Sequence, residues 1–388
     1  MNGLPGQDEA GDRLRTTALR DFGPAPHDGD PRWRRPSYRH HISSTEVPLP
    51  VLFRYALGLV GCAAAGPSEK VAWWVNFTYQ DELCTLAHQK FGLRLYLRTD
   101  RPEEAATQTQ EQIVKKLRAT TRTVERLILD AAPSILGAGN ATVLNQHRSL
   151  RRAYEYFRER AEQPAHIEDV YETGEGPPPV AKWTTFQLGK VQMQLNSFHD
   201  MIAAISAYLS LLEHDLVLAL PFTGFDPQVD NVTELIGARW GTKWDRVLGS
   251  TGDAVEHRRR LTEVVERWRN PYSHGGFEKG HGATIWLHTP GVGAAVPVGL
   301  SRVRESPHFS FVGARESDIA DVFALFDEID SWLGTTLPEA TQWIESDLDV
   351  RYDEDFRSLL AIAKEEDDFD GFLEYHEHRQ AQIDNMDY

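Results

Sequence analysis

Residues 191–216, VQMQLNSFHDMIAAISAYLSLLEHDL, decide the architecture. Val191, Leu195, Phe198, Ile202, Ile205, Leu209, Leu212 and Leu216 recur at steps of three and four, which puts them on one face of a helix. The run stays apolar to Phe222 but carries Glu213, His214 and Asp215. A membrane span wants about 20 apolar residues, so a buried helix and no membrane segment is expected. His199 and His214 read as ordinary hydrogen-bonded helical residues. Pro221 and the TGFDP loop end this helix, and a second is expected over residues 229–247. A third starts at Asp253, read as a side-chain cap with Glu256 three residues on, and turns Val255, Leu261, Val264, Val265 and Trp268 inward. Pro271 lacks an amide donor, so this helix should stop or kink at Arg269 and Asn270. A hairpin is expected within residues 283–300, with an extra strand at 309–312. A fourth helix then buries Ile319, Val322, Phe323, Phe326, Ile329 and Leu333.

Working toward the N-terminus, ETGEGPPPVAKW at 172–183 disfavours helix and central strand, and the domain boundary is placed there. Before it, residues 102–163 have helical periodicity broken near Gly137 and Gly139. AWWVNFTY and FGLRLYLRT, within residues 71–99, alternate like half-buried strands, and VPLPVLFRYALGLV at 47–60 has strand-like content. Trp73, Trp74 and Tyr79 are expected in the core rather than as a base-stacking platform. The expected organisation is a flexible arm over 1–45, an N-terminal α+β domain over 46–171, a linker over 172–183, a helical domain over 184–336 and acidic helices or tail over 337–388. The fold class is therefore α+β, mostly α.

Ten Trp, seventeen Phe and 41% hydrophobic content exclude wholesale disorder. Two cysteines, Cys62 and Cys84, are too few for a disulfide framework or a Cys-based zinc site. With no apolar core in the first residues, a cytoplasmic protein is expected. The net charge of −17 repels polyanions, so nucleic acid would have to meet a local basic patch. From Leu337 onward there are sixteen Asp or Glu against four Arg or Lys. That excess suggests a solvated acidic end, able to mimic nucleic acid and cover a basic cleft. No phosphate-binding glycine loop, GxSxG elbow or dinucleotide fingerprint occurs. His274, His281 and His288 are spaced by seven, but with no Cys or HExxH pattern beside them they make a poor zinc set.

Two basic stretches remain. One is HRRRLTEVVERWRN at 257–270, holding Arg258, Arg259, Arg260, Arg267 and Arg269; the other gathers Lys115, Lys116, Arg118, Arg148, Arg151 and Arg152. Either tracks a phosphate backbone or forms a solvated helix face with Glu partners three or four residues away. The first ends in Arg269-Asn270-x-x-x-His274. Looser Arg-x(4–6)-His matches occur at Arg20/His27, Arg35/His40, Arg160/His166 and Arg302/His308. The tight form occurs once, where composition predicts about 0.03 chance matches. His274 can act as general acid or base near neutral pH, Arg269 offers a permanently charged fork to phosphate oxygens, and Asn270 can orient both.

This motif, closing an amphipathic helix of a helical bundle, resembles that of HEPN-type domains over about residues 184–336. The resemblance implies a four-helix bundle with an inserted β-hairpin and a homodimer whose two motifs share one cleft. It also implies RNA cleavage by 2′-OH attack, without a metal or other cofactor, leaving 2′,3′-cyclic phosphate and 5′-OH ends. Arg269, Asn270 and His274 would be catalytic. Arg258, Arg259, Arg260, Arg267, Tyr272 and His281 would contact RNA. The role implied is a bacterial defence or toxin effector, with the N-terminal domain meeting a trigger or regulatory partner. The alternative is a HEPN-like module that only dimerises or binds RNA.

Overall fold

Strict alternation along Val71–Tyr79 and Gly92–Arg98 builds a sheet with one buried face. The computed structural model describes residues 4–385 apart from 91, 178, 180, 181, 274–284, 289, 292–294 and 299–313. Helix accounts for 59% and strand for 15%, so the chain is α+β and mostly α. It divides into two units: Met1–Ala138 with Asp370–Tyr388, and Gly139–Phe369.

In the first unit, α1 (Gln7–Thr16), β1 (Phe22–Pro24), β2 (Ser37–Ile42), α2 (Val51–Leu59) and β3 (Ala64–Ala65) precede the hairpins β4 (Val71–Tyr79), β5 (Glu82–Gln89) and β6 (Gly92–Arg98), then α3 (Glu103–Gly137). The strands pair antiparallel in the order β1-β4-β5-β6-β2, with β3 also on β4. Val75, Phe77, Leu86, Leu95 and Leu97 meet Leu52, Phe53 and Ala56 of α2 and Ile113, Leu117 and Val124 of α3. Each large apolar side chain fully buried this way contributes about 1.5–3 kcal/mol. Trp73 and Tyr79 belong to this core, as expected, whereas Trp74, also expected there, is only half-buried.

Two expectations are corrected here. The expected flexible arm over 1–45 is folded in its described part, residues 4–45: Leu14, Leu19 and Ile42 are buried, and β2 is held by its ladder to β6, a long-range pairing that composition does not reveal. The segment 47–60 is not a strand. Its short apolar run suits either state, and Leu52, Phe53, Ala56 and Leu57 lie on the buried side of a helix starting after Pro50.

The second unit contains β7 (Thr142–Val143), α4 (His147–Glu162), β8 (Val170–Gly174), β9 (Trp183–Gln187) and α5 (Gly189–Ala219). It continues through α6 (Val232–Gly237), α7 (Trp240–Leu248), α8 (Asp253–Val264), α9 (Asn270–Ser273), β10 (Ile285–His288) and β11 (Ala295–Val298). The last elements are α10 (Glu316–Thr336), α11 (Pro338–Glu345), β12 (Val350–Arg351) and α12 (Glu354–Glu365). A final helix, α13 (Phe369–Asn385), belongs with the first unit. By length and composition Gly189–Thr223 could cross a membrane, yet 56% of its most apolar window is buried inside the fold.

The expected linker at 172–183 begins in β8 and ends in β9, which pair as a hairpin between α4 and α5. Those helices run antiparallel, with His147 beside Asp215 and Arg160 beside Asp200. The division falls after Ala138, so α4 belongs with the helical unit. Its Tyr154 packs on Tyr208, Phe323 and Phe326, contacts made far along the chain and therefore silent in local sequence. The expected helix over 229–247 splits into α6 and α7, because Ala238 and Arg239 are extended. The hairpin β10–β11 lies where it was expected, while the expected strand at 309–312 lies outside the described residues. Residues 337–365 are folded into this unit rather than forming a tail: Trp343, Val350, Tyr352 and Phe356 are buried.

Candidate functional site

Leu261, Val265 and Trp268 face inward as their spacing requires, whereas Val255 is 46% exposed. Asp253 is the first helical residue and not the cap; Gly252 holds that position with a φ of 61°. Pro271 does not end the helix. Val265–Arg269 forms a π-helical turn in which the Asn270 amide reaches back to the Val265 carbonyl. The helix then continues through Pro271 to Ser273. A wider turn accommodates a residue that cannot donate to the carbonyl four back.

The turn carries the first two motif residues side by side. Arg269 donates from Nη1 to Asn270 Oδ1 at 3.3 Å, and both are partly buried. Arg269 Nε is buried with no acceptor among the described residues. Tyr272, half exposed, sets its ring edge against Phe198 at 5.1 Å, and Phe198 also meets Trp268. His274 and His281 lie outside the described residues, so of the three histidines spaced by seven only His288 is placed, and it is exposed.

The other arginines of this helix have acidic partners. Arg258 pairs with Asp245 at 2.5 Å, Arg259 with Glu256 and Glu263, Arg260 with Glu328 at 2.5 Å, and Arg267 with Asp318 at 3.7 Å. Arg260 and Arg267 also line a cleft of about 230 Å³ against α10, which Glu263, Asp318 and Asp321 share. That acidic lining opposes a polyanion in the cleft itself. The exposed pairs are a weaker obstacle, because a surface ion pair is worth only about 0–1 kcal/mol and exchanges readily for phosphate. In the other basic stretch, Lys116, Arg118, Arg148 and Arg151 are likewise paired, with Asp21, Glu46, Asp347 and Asp330.

A second polar constellation lies between α4, α5 and α10, and sequence reasoning missed it. His147 Nδ1 is 3.0 Å from both carboxylate oxygens of Asp215. Asp330 accepts from Arg151 at 2.7 Å and from the buried Tyr208 hydroxyl at 2.9 Å. The Gln146 amide donates to His214 Nε2 at 2.9 Å. Burial pushes the Asp215 carboxyl up, opposed by the His147 contact, and burial pulls His214 down. The available signal was Glu213-His214-Asp215 inside the most apolar helix, since buried charges need partners. His147 is 68 residues away and carried none.

Among the described residues no three His, Cys, Asp or Glu side chains converge as a metal site. Comparison with family models, curated proteins and solved structures gives no match.

Proposed function

We propose that this chain is a HEPN-like, metal-independent endoribonuclease whose second unit, as a homodimer, cuts RNA with Arg269, Asn270 and His274. One observation carries most weight: of the five arginines on the motif helix, Arg269 alone has no carboxylate partner among the described residues. An arginine kept clear of acids and oriented by a neighbouring amide is suited to a substrate phosphate. The π-helical turn beneath it supports the same reading, because such turns recur at functional sites. In this scheme His274 of one protomer removes the 2′-OH proton while its counterpart protonates the departing 5′-oxygen. Arg269 neutralises the phosphorane, and 2′,3′-cyclic phosphate and 5′-OH ends result. The scheme's groups account for every proton moved without a metal. The bacterial defence or toxin role, and a trigger-sensing first unit, are part of the same proposal.

The second reading, a module that dimerises or binds RNA without cutting it, is favoured by the acidic lining at Arg260 and Arg267. Total RNA and tRNA incubated with the full chain in EDTA separate the two. The expected result is cleavage with cyclic-phosphate ends, reduced about 10²–10⁴-fold in His274→Ala and comparably in Arg269→Ala, at unchanged fold and oligomeric state. Intact RNA with wild type, or cleavage by both variants at the wild-type rate, leaves the non-cutting module.

A further inference from the structure

A cavity of about 100 Å³ opens beside the His147–Asp215 pair, walled by apolar residues of α5, α10 and α11. Its polar rim is made by His147, Arg151, Asp215, Asp330 and Glu345. Packing alone does not explain this arrangement. An interior void forfeits dispersion contacts, and ion pairs taken out of water seldom repay their desolvation. Leucines across the same gap would remove both costs. A buried carboxylate such as Asp215, its pKa pushed up by burial, in a concave and mostly apolar pocket is a usual mark of a ligand site.

The lining also selects the ligand. Three carboxylates face one arginine and one histidine, and Arg151 is engaged by Asp330, whose two oxygens are both occupied. An anion would meet net repulsion. Asp215 receives a single donor across its two oxygens, which leaves acceptor capacity unused, and Glu345 at the rim is exposed. Below the rim, Leu212, Leu216, Ala340 and Ile344 accept an aliphatic body. We infer that this cavity binds a small primary amine of about four or five carbons, its ammonium on Asp215 and its alkyl group among those side chains. His147, held by Asp215 through Nδ1, is the positioning residue that fixes the carboxylate. The inference is independent of the ribonuclease reading.

The test uses the full chain and isobutylammonium as probe, titrated to about 50 mM because a ligand of five heavy atoms binds in the millimolar range. Isobutanol and isobutyrate serve as neutral and anionic isosteres. Binding is followed by saturation transfer and by the His147 ring signals. Isobutylammonium should bind, and isobutanol at least tenfold more weakly. Isobutyrate should not bind. Asp215→Asn, and separately Thr341→Leu, which fills the partly exposed edge of the cavity without touching a charge, should each weaken the amine at least tenfold. The inference is overturned if isobutyrate binds as well as the amine, if neither variant changes amine affinity, or if wild type binds none of the three.

Discussion

His214 can accept the Gln146 amide at the start of α4 only while its Nε2 is unprotonated. Burial is the main cause that lowers this imidazole's pKa; nearby His147 and Lys243 lower it further, and Asp215 opposes them. A histidine whose folded pKa lies below its unfolded one stabilises the fold above the unfolded value, about 6.5. That contribution is lost as the pH falls through the folded value. Wild type should therefore lose about 1 kcal/mol more than His214→Gln between pH 7.5 and pH 5, the worth of one hydrogen bond. Urea unfolding midpoints of the two proteins at both pH values measure this. At this scale the sequence is half legible: Arg269 and Asn270 are adjacent in it and lie together on one turn, and the Glu213-His214-Asp215 interruption is plain. The partners His147, Arg151 and Asp330 are separated from one another or from α5 by tens of residues, and only folding joins them.

Among the elements, the π-helical turn at Val265–Arg269 links backbone geometry most directly to the proposed chemistry. Pro271→Ala restores an amide donor and lets the helix return to the ordinary four-residue register, which turns Arg269 away from its present direction. Proline inside a regular helix costs about 3 kcal/mol or more, part of which the wider turn absorbs, so this variant should be more stable by about 1 kcal/mol or more. RNA cleavage should nevertheless fall at least tenfold. Thermal midpoints and cleavage rates measured together check the opposite signs. Elements with long regular periodicity, α5, α10 and the hairpins β4–β6, could be read directly because their apolar spacing spans several turns or a full strand. The short run in α2 could not, since a few apolar residues fit either period. Three prolines at 177–179 disfavour regular structure and mark the β8–β9 tip as readily as a linker, and only the ladder between the flanking strands distinguishes the two.

Across the whole molecule, the acidic stretch after Leu337 is built into the second unit as far as Phe369. Val350, Tyr352 and Phe356 have no exposed surface, and the Tyr352 hydroxyl donates to the Val217 carbonyl at the end of α5. Truncation after residue 345 removes all three. With about 3–5 kcal/mol for each aromatic lost, against about 5–15 kcal/mol for a whole domain, the second unit should fail to fold. Loss of the near-ultraviolet signal and of protease resistance in that unit is the expected outcome; a truncated chain that stays folded would contradict the assignment. The same stretch closes the unit on itself: β12 pairs with β7, and the Tyr352 amide bonds to the Ala141 carbonyl, so the first residues of the unit are held by its last strand. The first unit, by contrast, is interrupted, with α13 following residues 139–369 in the chain. During synthesis the second unit has all its strands and helices before α13 is made. At about 5–20 residues per second, the first unit waits some 10–50 s for its last helix, an interval in which the nascent chain carries one finished unit and one unfinished one.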